Sequence, residues 1–238
     1  IFNARIEYRE KGKVEIIVHS PDPAGNVVEQ SAEISVQPLD TATGAVVESV
    51  DQGAALIIPP GAKPVIPSQP KRQVRDRGNL VFLRYERIPR DPRAPKESPK
   101  DPDPLPLELE MVSKPYRVEI NQDVEEPMEL RASASQAKMP ELPKIVFSVS
   151  ELADFGDQYT DPEFMKNRIK VVRWSPPEPG SKKKGRWETV PEIEIDLANW
   201  KVIAPAEKIT SYVVVAETTP PSIREMEPSP DAVVGSLR

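Results

Sequence analysis

The sequence predicts an all-β fold, and three observations carry that expectation: its proline content, a recurrent alternation of polar and apolar residues, and turn-forming clusters between the alternating runs. Prolines number 29 among 238 residues. Proline fixes φ and lacks a backbone donor, so it suits strand edges and loops and breaks helix interiors. At this density it excludes a helical bundle. Alternation of period two puts one face of each strand on a core and the other in solvent. The runs are separated by clusters of Gly, Asp, Asn and Pro, such as "SPDPAGN" from Ser20 to Asn26, whose members favour turns.

Composition narrows the function classes. The net charge of −6 argues against a nucleic-acid partner, which needs a basic face for phosphate. The chain has no cysteine, which removes disulfides, thiol catalysis and Cys-based zinc sites together. No apolar run approaches the ~20 residues of a membrane-spanning helix. The first residue is Ile1, so the chain is expected to be a piece of a longer protein.

Residues 1–50 form the first expected β module, either Ig-like in its own right or part of the sandwich that follows. "ARIEYREKGKVEIIVHS" alternates around Lys11-Gly12, and "SAEISVQPLDTATGAVVESVD" alternates around Asp40 to Gly44. "GAALIIPPGAKPVIP", Gly53 to Pro67, is a buried strand ending in a sharp Pro59-Pro60-Gly61 turn. "NLVFLRYERIP" is another strand. Residues 90–106 alternate proline and charge; too poor in apolar area to fold as a unit, they are expected to be an exposed excursion. "LPLELEMVSKPYRVEI", "PMELRASAS" and "KIVFSVS" resume the strand pattern. At Asp161-Pro162 a short helical turn is expected, with proline at its first position. "IKVVRW" and "GRWETVP" make a hairpin that brings Trp174 and Trp187 together, and "EIEIDLANWKVIAP" and "KITSYVVVAE" supply the last strands. Residues 218–238, rich in Pro, Ser and Glu, are expected to be a linker or a strap on a neighbour.

The order of these features resembles the ZU5-like β-sandwich domain, including the forms found in bacterial cell-surface proteins. The resemblance covers residues 53–217. It rests on a Gly-led apolar strand ending in "PPGA", then a proline-bounded phrase such as "SKPYRVEI" or "EEPMELRAS". An apolar strand with an acidic loop follows ("KIVFSVSELADFGDQYTDPEF"), then an Arg-Trp strand with a second tryptophan ("VVRWSPPEPGSKKKGRWETVP"), then a Ser/Thr-led strand with a tyrosine ("KITSYVVVAE"). Residues 90–106 depart from a compact version of that pattern. The resemblance implies a β-sandwich of Ig-like Greek-key type over 51–217, with Trp174, Trp187 and Tyr212 in its structural core. Some ZU5-related domains, like related autoproteolytic adhesion-receptor modules, cleave themselves at a His-Phe-Ser type step. That step would fall at Lys208-Ile209-Thr210-Ser211; Lys208 occupies the histidine position, so no self-cleavage is expected.

Other side chains invite chemistry. His19, the single histidine, precedes Ser20 and Pro21, but no orienting third group can be named for a nucleophile and base. Asp154, Asp157, Asp161 and Glu163 form the densest acidic loop. Oxygen ligands suit calcium, yet the spacing fits no EF-hand, so the first three are weak metal candidates and no other cofactor is expected. Lys182-Lys183-Lys184 at the hairpin tip keeps a β edge soluble, or attracts phosphate or acidic polymer. The expected function is a non-catalytic structural or interaction module of an extracellular bacterial assembly, such as a surface layer, sheath, pilus or adhesin, with protein partners or self-assembly through β edges and straps. The alternatives are a glycan-binding accessory domain of a secreted enzyme, stacking sugars on Trp200 or Tyr159, and an intracellular ZU5-type scaffold.

Overall fold

Alternation becomes antiparallel pairing almost throughout the computed structural model, which describes residues 12–21, 27–69, 74, 78–89, 101–122, 126–132, 141–150, 161–177 and 184–217. The larger sheet has eight strands. Its path runs β1 (Gly12–Pro21), β2 (Val27–Pro38), β6 (Leu80–Tyr85), β8 (Tyr116–Ile120), β15 (Ser211–Glu217), β11 (Ile169–Ser175) and β12 (Arg186–Thr189), and β7 (Leu109–Met111) pairs with β15 off that path. The smaller sheet has five strands, ordered β13 (Glu194–Asp196), β14 (Lys201–Pro205), β10 (Lys144–Ser148), β4 (Ala54–Ile58) and β3 (Ala45–Glu48). A separate pair joins β5 (Ala62–Val65) to β9 (Glu129–Ala132). The fold is all-β, with α1 (Pro162–Arg168) the one α-helix among the described residues.

The two large sheets share one hydrophobic core. Leu83, Val118, Tyr212 and Val214 from the larger sheet lie in the same buried cluster as Leu56, Ile145, Phe147 and Val202 from the smaller. Tyr116 and Phe147 meet across it, with ring centroids 6.2 Å apart.

The described strands of residues 1–50 enter both sheets. β2 pairs with β6 from Ser35↔Leu83 to Pro38↔Leu80, while β3 pairs with β4. The chain crosses between layers at Asp40 to Gly44. There the Ala42 N–H donates to Asp40 Oδ1 at 2.8 Å, and the Gly44 N–H donates to the Asp40 carbonyl at 2.7 Å. Gly44 has φ +75°, and a Cβ there would lie 2.2 Å from the Ile58 carbonyl oxygen, so only glycine fits.

The α1 start follows the sequence signal. Asp161 caps it by accepting the Glu163 N–H at 2.9 Å, and Pro162 opens the first turn. Met165 is the residue it buries.

The described part of the proline-charge segment corrects the expectation of an exposed excursion. Pro102 is buried, and Leu105 and Leu109 pack, together with Ile88, on Val172, Val213 and Val215 of the outward face of the larger sheet. Residues 101–109 are a strap over that face. Proline and charge make the segment unable to fold alone, but the sheet supplies the apolar area it lacks. Residues 90–100 and 218–238 lie outside the described residues.

Candidate functional site

The tryptophan hairpin sits under this strap. Trp174 and Trp187 are directly opposed in the β11–β12 register, and their rings lie 5.5 Å apart at 58°, a tilted aromatic pair. Alternation along β11 sets Val171 in the shared core and Val172 in the outward cluster, so Trp174 falls on the outward face with Val172. It is nonetheless only 1% exposed. Trp187 is half-buried, and its indole N–H donates to the Asp103 carbonyl at 2.8 Å. Gly185 makes room for the pair: a Cβ there would meet Trp174 ring atoms at 2.3 and 2.6 Å.

Beside the indoles the outward face turns charged. Arg84 lies opposite Arg117. Arg84 donates to both oxygens of Glu119 at 3.2 and 3.1 Å. Arg117 binds Glu86 at 3.2 Å, Glu119 at 3.0 Å and Asp101 on the strap at 3.4 Å. Glu86 is buried and also accepts from Ser211 Oγ at 3.2 Å. Burial alone would lower the Arg84 pKa, but the hydrogen bond and charge of Glu119, then the charges of Glu86 and Asp101, raise it overall.

Around the other face of the hairpin, Glu188 meets Arg186 at 3.0 Å, Lys208 at 3.3 Å and Arg173 at 3.5 Å. Burial acts to raise its pKa; these partners outweigh burial and lower it. Next to them the Tyr212 hydroxyl, fully buried, donates to the Lys208 carbonyl at 2.6 Å, and burial pushes its pKa up.

The third cluster centres on Asp51, in the turn between β3 and β4. Its carboxylate accepts from Ser49 Oγ at 2.8 Å, the Gly53 N–H at 3.2 Å, the Tyr116 hydroxyl at 2.9 Å and Lys114 Nζ at 2.9 Å. Burial opposes ionisation, yet these donors hold the pKa down at about 2. A Cβ on Gly53 would lie 2.0 Å from the Tyr116 hydroxyl, so glycine permits the contact. Ser49, Val50 and Asp51 with Leu83, Arg84, Tyr85 and Tyr116 line a recess of about 140 Å³.

The sequence candidates disperse over the fold. Asp161 is a helix cap; Asp154, Asp157 and Tyr159 lie outside the described residues, as do Lys182 and Lys183. No group of metal-binding side chains is present among the described residues. His19 pairs in register with Glu29 on β1–β2. Lys184 is exposed. Trp200 is partly buried against the shared core, and its backbone takes the left-handed region at φ 51°, so it is no open stacking platform. At the position of the self-cleavage step, Thr210 Oγ1 donates to the Trp174 carbonyl at 2.7 Å and Ser211 donates to Glu86. None of Lys208 to Ser211 is among the residues with positive φ.

Sequence reasoning missed Asp51 and the Arg84–Glu119–Arg117–Glu86 network. The first had a local signal, since "SVDQG" carries turn chemistry. The second pairs residues from β6 and β8, and only strand register brings those together. No family model matches this chain, and neither the curated proteins nor the solved structures include a match.

Proposed function

We propose that the chain is a non-catalytic structural and interaction module of an extracellular bacterial assembly, built as a ZU5-like β-sandwich of Ig-like Greek-key type and acting through β-edge and strap contacts with neighbouring subunits. The strap carries this reading. An extended, proline-rich segment is held on a sheet face by a main-chain carbonyl, a buried proline and two leucines. Contacts of this kind need no reactive group and work equally well between chains. Two further observations support it. The Tyr212 hydroxyl bound to the backbone four residues upstream matches the tyrosine corner of Greek-key sandwiches. Asp51, Glu86, Ser211 and Lys208, the polar groups best suited to chemistry, each hold a turn or join strands.

Sedimentation velocity on the purified chain over a wide concentration range tests the reading. Reversible association that grows with concentration is the expected result. A monomer at every concentration, together with turnover in a hydrolase screen that His19→Ala abolishes, would replace the module with an enzyme.

A further inference from the structure

The first hairpin outruns the sheet it belongs to. β2 pairs with β6 only from Ser35 to Pro38, while β1 and β2 pair from Gly12↔Val36 to Pro21↔Val27. From Val27 to Ile34, β2 therefore has β1 as its one strand partner among the described residues. β1 ends the sheet, and no described strand pairs with its other edge. A ribbon of two strands is marginally stable in water and gains from a third.

The ladder decides which backbone groups that edge offers. The Leu39 N–H donates to the Asn79 carbonyl at 2.9 Å, one place beyond Pro38↔Leu80. Hydrogen-bonded and non-bonded pairs alternate along an antiparallel ladder. Ser35 and Gln37 therefore bond towards β6, and Ile34 and Val36 towards β1. Their partners are Val14 and Gly12, and Ile16 and Val18 continue the series. Lys13, Glu15, Ile17 and His19 then turn their N–H and C=O groups to the open edge. The same register sets Glu15 opposite Glu33, a like-charge pair that costs stability and that a partner beyond Glu15 can offset.

This edge is complementary to itself. In antiparallel pairing of two copies about a two-fold axis at Ile17, Glu15 of each stands opposite His19 of the other, and Ile16 opposite Val18. Pro21 falls opposite Lys13 at the end of the ladder, where its missing N–H costs least. Neighbouring registers lose the match. An axis at Glu15 opposes that residue to itself. An axis at Ile16 sets Lys13 opposite His19 and leaves Glu15 beside Ile17. An axis at Val14 pairs only Gly12 to Ile16.

We propose that two copies of this chain join through β1, edge to edge and antiparallel about Ile17, so that the larger sheet runs on from one copy into the other. This inference rests on the self-assembly reading above and names the edge it uses. The same patch serves both copies, so the contact is isologous and closes as a dimer. About eight main-chain hydrogen bonds form across the axis, and the Glu15–His19 pairs select the register.

The chain has no cysteine, so introduced thiols report the contact cleanly. Across the axis the two Ile17 Cα atoms lie about 5.5 Å apart, within the roughly 4.4–6.8 Å that a disulfide spans. The two Lys13 Cα atoms lie roughly 26 Å apart, at ~3.3 Å per residue. On mild oxidation Ile17→Cys is expected to give a covalent dimer, and Lys13→Cys none. Ile17→Pro removes an N–H that β2 does not use, a change an edge strand tolerates. In sedimentation velocity the parent is expected to pass from monomer to dimer with concentration, and Ile17→Pro to weaken that dimer by at least about tenfold. If Ile17→Pro does not melt cooperatively, the two cysteine variants decide alone. Equal cross-linking at both positions overturns the register and the proposal with it. Association without a cross-link from Ile17→Cys, or left unchanged by a folded Ile17→Pro, overturns the edge contact and leaves self-assembly standing. A parent that stays monomeric at every concentration removes both the contact and the assembly reading beneath it.

Discussion

The outward faces of the two sheets are written in similar residues and meet different fates. On the larger sheet Val172, Val213, Val215 and Trp174 are all buried, because the strap, Ile88 and Trp187 cover them. On the smaller sheet the opposed pair Val46 and Ile57 stays 51% and 40% exposed, with no such cover among the described residues. The difference teaches that a valine on a sheet's outer face is not itself a core residue; what lies over it decides. It also shows where the chain completes its own surface and where it leaves apolar area open.

Truncation on each face is the strongest way to break that contrast. Trp174→Ala should cost about 3–5 kcal/mol, as large-to-small changes at fully buried aromatics do. Ile57→Ala, on the bare face, should cost under about 1 kcal/mol. Urea unfolding of both variants checks this. Equal costs would mean that the strap does not exclude water from the indole.

A finer test keeps an aromatic ring at the position, though a smaller one, and removes its anchor. Trp187→Phe deletes the indole N–H that holds the Asp103 carbonyl, with a loss of about 1 kcal/mol. The expected signature is local. Amide exchange should speed up at Leu105 and Asp103 on the strap and stay unchanged at Val46 and Ile57, where there is no strap to release. Uniform acceleration over both sheets would show that the bond supports the whole fold instead.

Much of this contrast was legible in the sequence. β15 reads "SYVVVAE", a continuous apolar run, and Ser211 to Ala216 are all buried; unbroken runs mark strands covered on both sides. β3 reads "AVVE", where Val46 and Val47 are alike and only the structure shows the first exposed and the second buried. The Trp174–Trp187 pairing, the Asp161 helix start and the Asp40–Gly44 turn could also be read, because each depends on residues close in sequence. The strap could not. Its prolines and charges say that it cannot fold alone, and nothing local says that Leu105 will find Val213 more than a hundred positions away. The Glu86–Arg117 and Asp51–Tyr116 contacts were hidden for the same reason.

The Asp51 turn tests how the open sheet is fastened to the covered one. Its carboxylate, on the turn of the smaller sheet, holds Lys114 and Tyr116 of the larger. Its folded-state pKa, about 2, lies below the ordinary value near 4 in the unfolded chain. The resulting stabilisation is therefore fully present above about pH 4 and disappears as pH falls towards about 2. Thermal melts should show the parent losing stability through that window, and Asp51→Asn, less stable at neutral pH, should lose less there. Parallel curves would mean that the carboxylate's charge does not fasten the sheets.

The smallest effect comes from the adjacent residue and separates backbone cost from packing. Gln52 and Trp200 both hold left-handed backbone, at φ 58° and 51°, a region that disfavours any side chain with a Cβ. The Gln52 side chain is exposed at the tip of the β3–β4 turn, while Trp200 packs against the shared core. Glycine relieves the same strain at both positions, but only at Trp200 does it also remove buried ring area. Gln52→Gly should therefore raise stability by about 0.5 kcal/mol, net of the extra freedom glycine has in the unfolded chain. Trp200→Gly should lower it by a larger amount, as loss of a packed aromatic does. Denaturant midpoints for the two variants read out opposite signs. If both fell, the left-handed conformation would cost too little in these turns to matter, and the Trp200 backbone could no longer be explained as strain held in place by packing.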